Sequence, residues 1–135
     1  MMERISILLC TYRRRSVVAT LESLAALRAP TGYTIGIIVA DNDEAPSSEH
    51  WVRGTTSSWP VSYLHAPARN ISVARNACLA LARKRQSDWI AFVDDDEVVP
   101  ADWIEQLMRR AVETRADVIS GPAIARYPTD APRWR

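Results

Sequence analysis

Trp89-Ile90-Ala91-Phe92-Val93-Asp94-Asp95-Asp96-Glu97 is the stretch that decides the fold. Its first half is short and wholly apolar, the pattern of a strand buried on both faces. Its second half is a run of carboxylates that follows without a spacer. The same form occurs twice upstream. Ile5-Ser6-Ile7-Leu8-Leu9-Cys10 leads into Thr11-Tyr12-Arg13-Arg14, and Thr34-Ile35-Gly36-Ile37-Ile38-Val39-Ala40 leads into Asp41-Asn42-Asp43-Glu44.

Between these runs the spacing turns helical. Ser16 to Leu27 sets Val17, Leu21, Leu24 and Arg28 on one stripe, and Ser72 to Arg85 is expected to turn Val73, Ala77, Cys78 and Leu81 inward. Pro100 suits the first turn of a helix that repeats Trp103, Ile104, Leu107, Met108, Ala111 and Val112 out to Arg115. A short helix at Ser48 to Arg53 and a short strand at Val61 to Leu64 fill the middle. A fifth strand is expected at Asp117 to Ser120, and a further one at Ala123 to Tyr127. Apolar strands alternating with crossover-length helices predict an α/β, Rossmann-like fold, a mostly parallel sheet with helices on both faces.

The 135 residues, 47% of them hydrophobic, suit one domain that buries roughly two thirds of the surface of its unfolded chain. No linker divides residues 1–135. From Tyr127 to Arg135 the sequence has no packing period and leaves Trp134 without an evident partner, so the fold is expected to be truncated at its C-terminus.

Composition excludes several classes. A net charge of +1 argues against a dedicated nucleic-acid binder. The apolar runs fall far short of the roughly 18 residues a membrane span needs. Glu3 and Arg4 interrupt anything resembling a signal peptide. Cys10 and Cys78, both in apolar surroundings, read as reduced thiols of a cytoplasmic protein. Sixteen of the seventeen basic residues are arginine, whose fork suits phosphate, although the count alone reads as compositional bias.

In an open α/β sheet, ligands bind beyond the carboxyl ends of the strands. Seven of the sixteen acidic residues fall in the two clusters there, Asp41 to Glu44 and Asp94 to Glu97. Adjacent carboxylates repel one another unless a cation or hydrogen-bond donors offset them, and hard oxygen ligands favour magnesium, manganese or calcium over zinc. For Asp41 to Glu44 the plain alternative stands level: acids that cap the next helix or solvate a turn. For Asp94 to Glu97 it is weaker, because a solvated turn needs fewer acids. Arg75, on the first turn of its helix, can reach a phosphate or base on the same rim or make a surface ion pair.

These four segments, with Asn70-Ile71-Ser72-Val73-Ala74-Arg75-Asn76 in order between the second and fourth, resemble the inverting family-2 glycosyltransferases of A-type fold. The likeness is greatest to bacterial exopolysaccharide glucosyltransferases of the succinoglycan type. It runs from Ile5 to about Tyr127 and implies the donor-binding part of such an enzyme, with the acceptor-binding half absent. The donor implied is a nucleotide diphosphate sugar, usually a uridine diphosphate sugar, held with a divalent cation (Mn or Mg). The acceptor implied is an oligosaccharide or a lipid-linked saccharide, reached by peripheral association of the full-length enzyme with the inner face of the membrane. By the same resemblance Thr11 and Tyr12 frame the base, with Tyr12 as a stacking ring, and Arg14 lies among the nucleotide-sugar contacts. Asp41 meets the uracil edge, Arg75 helps fix the nucleotide, Asp94 and Asp95 lie at the sugar-nucleotide with Asp95 near the ribose, and Asp96 ligates the metal. The loop at Asn70-Ile71-Ser72 departs from relatives that often carry glycine there. The catalytic base is expected beyond Arg135; Asp130 is the only acid after Ser120 and its context does not support that role.

Other classes fit less well. A phosphotransfer receiver needs an acidic pair after the first strand, where this chain has Thr11 and Tyr12. A dinucleotide dehydrogenase needs G-x-G-x-x-G and a P-loop needs Gly-Lys-Ser/Thr, and neither occurs. A haloacid-type phosphatase carries its Asp-x-Asp after the first strand. A non-catalytic nucleotide-binding module stays open as the second reading.

Overall fold

The computed structural model describes residues 1–132, so Trp134 and its expected lack of a partner lie outside the described residues. The chain runs β1 (Glu3–Thr11), α1 (Val17–Ala25), β2 (Tyr33–Asp41), α2 (Glu49–Arg53), β3 (Val61–His65), α3 (Ile71–Lys84), β4 (Trp89–Asp94) and α4 (Trp103–Thr114). The four strands form one sheet in the order β3-β2-β1-β4, and every pairing is parallel. This order reverses between β1 and β4. A ligand crevice opens where the strand order of such a sheet reverses.

Side chains alternate across β1, and each face has its own helices. Ile5, Ile7 and Leu9 join Ile35, Ile37 and Val39 of β2 beneath Val17, Leu21 and Leu24 of α1 and Ile104 and Met108 of α4. On the opposite face Leu8, Ile38 and Ala40 meet Ala74, Cys78 and Ala82 of α3. Those three small residues recur every fourth position, so α3 rides close to the sheet along them. Of the expected inward stripe of α3, Cys78 is buried and Ala77 and Leu81 pack partly buried against the same cluster, but Val73 is corrected: it is exposed, and Ala74 and Ala82 complete the buried line with Cys78. Choosing the bulkier residues for the core misjudged how near the helix lies. Cys10 packs beside Cys78 and both are free thiols. Pro100 precedes α4, accepting a hydrogen bond from Trp103 N–H, rather than standing inside its first turn.

The expected strands at 117–120 and 123–127 are also corrected. The described residues after Thr114 form no strand, and Val118 and Ile124 are each 85% exposed. Residues 118–122 instead share a surface groove with Gln106, Leu107, Arg110 and Thr114. β-Propensity makes a strand only where a sheet edge and a covering layer receive it. The outer side of β4 lacks that cover, as exposed Ile90 and Phe92 attest.

Candidate functional site

Because all four strands point the same way, the turns after β1, β2 and β4 share one margin. Register sets Thr11 opposite Asp41 and Cys10 opposite Asp94. The crevice between β1 and β4 is bridged by side chains. Thr11 Oγ1 donates to Asp95 Oδ2 at 2.9 Å, a buried bond. Arg14 Nη1 reaches Asp95 Oδ1 at 3.4 Å and Asp96 Oδ2 at 3.1 Å, so one cationic nitrogen serves two carboxylates. Arg75 Nη2 stands 3.6 Å from Asp94 Oδ1.

The four consecutive acids divide their work. Asp94 and Asp96 face outward to arginines, while Asp95 is buried under Thr11. Glu97 folds back, its Oε2 accepting from Asp94 N–H at 3.0 Å, which clasps the turn. Burial raises the Asp95 carboxyl above its ordinary pKa, against the opposing pull of the Thr11 hydroxyl and the Arg14 charge. A second cation beside Asp95 would relieve that desolvated charge.

Asp41 lies on the margin but is turned inward. It has no exposed surface. Its Oδ1 accepts from Asp43 N–H at 3.1 Å, and its Oδ2 accepts from Ser48 N–H at 2.8 Å and from the Tyr63 hydroxyl at 3.0 Å. In the free protein the Asp41 carboxylate is therefore taken up by donors of its own loop and of β3 rather than presented to solvent. Burial and donation to Asp41 together push the Tyr63 hydroxyl pKa far up.

Three further residues hold the margin together and escaped the sequence reading. Asn42, buried, donates its N–H to Thr11 O at 2.9 Å and accepts from Asn70 N–H on Oδ1 at 3.0 Å. Asn70 in turn caps α3, accepting from Ser72 N–H at 2.9 Å, so the segment that lacks the expected glycine is an ordinary helix start. Arg69 supplies the left-handed residue instead, with φ +46°, and its side chain pairs with Glu44 at 3.1 Å. Only a short polar side chain at Asn42 and a cap at Asn70 would have signalled this weld.

Asp43 completes the set. Arg13 Nε donates to its Oδ2 at 2.8 Å, and this guanidinium holds the carboxyl pKa at about 2, below its ordinary value of 3.8. A depressed carboxylate contributes stability above the unfolded-state pKa and loses it as pH falls through the folded one. The stability difference between wild type and Asp43→Asn should therefore hold steady above about pH 4 and shrink toward pH 2. Thermal denaturation across that window reads it, and a difference that grows on acidification would contradict the assignment.

The structure thus brings Thr11, Tyr12, Arg14, Arg75, Asp94, Asp95 and Asp96 together at the β1–β4 crevice and its edge, with Asp41 beneath them as support. Among the described residues no group of three or more His, Cys, Asp or Glu side chains is poised to hold a metal alone. The pair Asp95 and Asp96 nonetheless converges on one cation, the Arg14 guanidinium, and so suits a divalent ion that takes its remaining ligands from phosphate and water.

The chain is similar to known proteins in sequence and in fold. The chain is 44% identical over 132 residues to the succinoglycan biosynthesis protein ExoM of Rhizobium meliloti (strain 1021), covering 96% of this chain and 42% of that protein. It superposes on the crystal structure of S. aureus TarS 1-349 with a TM-score of 0.64 at 17% identity, covering 91% of this chain and 38% of that one. The same protein in complex with UDP-GlcNAc gives 0.63 at 17% identity, over 91% and 37% of the two chains. The chain therefore spans less than half the length of these relatives, and the structural likeness shows the fold, an A-type glycosyltransferase sheet. Residues 6–135 match the glycosyl transferase family 2 description, and the chain belongs to that family.

Proposed function

We propose that this chain is the donor-binding part of an inverting glycosyltransferase of exopolysaccharide biosynthesis. The donor is a uridine diphosphate sugar, with glucose as the sugar, and the acceptor is an oligosaccharide or lipid-linked saccharide. The observation that carries the reading is the single Arg14 nitrogen bridging Asp95 and Asp96 beside Thr11, at the point where the strand order reverses. A ligand crevice opens where the strand order of such a sheet reverses, and there two carboxylates already share one cationic group. The 44% identity to a succinoglycan biosynthesis protein supports the polysaccharide setting. TarS, in its complexes with UDP and UDP-GlcNAc, supports the uridine nucleotide.

Roles follow from position. Tyr12 presents a partly exposed ring on which a base can stack. Thr11 keeps Asp95 oriented, and Asp95 with Asp94 faces the ribose and sugar side. Asp96 would be the direct ligand of manganese or magnesium, which when bound would supply positive charge to offset that building on a diphosphate leaving group. Arg14 and Arg75, held by carboxylates in the free protein, exchange them for phosphate oxygens, to which a guanidinium fork is well matched. No helix among the described residues is long and apolar enough to cross a membrane. Peripheral attachment at the cytoplasmic face is the setting in which a lipid-linked acceptor would be met.

Calorimetric titration with uridine diphosphate, with and without manganese, tests the proposal. Binding that strengthens with the metal is expected, with little turnover by this chain alone. A folded sample showing no metal-dependent binding would remove the reading.

A further inference from the structure

Tyr12 is partly exposed on the margin, and the residue after it covers it. Arg13 adopts a left-handed backbone, φ +53°, which is costly for a residue bearing a Cβ and persists where its surroundings enforce it. The other left-handed non-glycine residues off this margin, Gln86 and Arg115, close the ends of α3 and α4. Arg13 closes no helix. Its guanidinium carbon lies 5.2 Å from the centre of the Tyr12 ring, over its face. Its Nε is tied to Asp43 across the margin at 2.8 Å, and Asp43 is itself fixed by accepting from Glu44 N–H at 2.8 Å. A planar cation from the β1 turn is thus laid on an aromatic face and anchored to the β2 turn.

We propose that Arg13 is a latch on the base site: its guanidinium occupies the Tyr12 face that a nucleotide base would take, and the base enters by displacing it. The inference rests on the reading of Tyr12 as the stacking ring and adds a regulation of that site. The cation–π contact is of the individually weak kind, while the ion pair has one open end, the Arg13 guanidinium, and one buried end, Asp43, so the latch holds the ring face without sealing it. It taxes affinity by the fraction of time it stays shut. Since the Arg13 end of its ion pair is open to solvent, salt loosens it.

Titration of uridine diphosphate in the presence of manganese into wild type, Arg13→Ala and Asp43→Asn tests the latch. Arg13→Ala should bind at least about five-fold more tightly than wild type, the scale of one cation–π contact with one half-exposed ion pair. Asp43→Asn keeps an acceptor for Glu44 N–H but frees the guanidinium, and should gain less. Added salt should narrow the gap between wild type and Arg13→Ala. Equal or weaker binding by Arg13→Ala overturns the latch while leaving the nucleotide reading intact. Absence of binding by all three proteins overturns both.

Discussion

Asp41→Ala should lower folding stability by about 3–5 kcal/mol, because it strands three donors, two of them backbone N–H groups in a buried loop, each worth about 1–3 kcal/mol when left unsatisfied. The donors are Asp43 N–H, Ser48 N–H and the Tyr63 hydroxyl. The loss spreads from there, since Asp43 anchors Arg13 and the neighbouring Asn42 joins β1 to the start of α3. Asp41→Asn retains one acceptor oxygen and should lose less. Urea denaturation of the three proteins measures the effect. A cost under about 1 kcal/mol for Asp41→Ala, the size of an ordinary exposed change, would mean that the carboxylate is not committed to its loop and is open to a ligand after all.

The second large effect is on binding. Manganese should tighten uridine diphosphate binding by at least about tenfold, equivalent to ~1.4 kcal/mol, and Asp96→Ala should erase that gain. Asp96 is exposed and, among the described residues, its side chain bonds only to Arg14, so its removal should leave the fold in place. Asp95 offers no such clean test, because it is buried under Thr11 and its loss would disturb the crevice itself. Titrations of both proteins with and without manganese decide the matter. An undiminished metal effect in the variant would take Asp96 out of the metal role.

The strands and the shared margin were legible because a parallel strand buried on both faces must be apolar throughout, and because an apolar run ending in charge marks where burial stops. Ile5 to Cys10 and Trp89 to Val93 are such runs. The direction of a side chain at the end of a strand was not legible. Asp41 and Asp96 are both acids at strand ends, yet one is sealed inside its loop and the other faces outward. What separates them is two backbone N–H groups of the Asp41 loop with a tyrosine 22 positions downstream, against an arginine 82 positions upstream of Asp96, and no side-chain pattern next to either acid carries this. The pairing of Arg13 with Asp43 was hidden for the same reason. The strands expected at 117–127 failed differently, since local preference was present but the receiving surface was not.

The margin gathers Asp41, Asp43, Glu44, Asp94, Asp95, Asp96 and Glu97 against Arg13, Arg14, Arg69 and Arg75, most of them already neutralising one another. At a distance such a surface exerts little pull on a polyanion, and close in its surplus carboxylates push a bare pyrophosphate away. A pyrophosphate arriving already chelated carries less charge and brings the counter-ion those carboxylates lack. On the proposed reading, the self-pairing would act as an electrostatic sieve, favouring ligand that comes with its cation over ligand that comes alone.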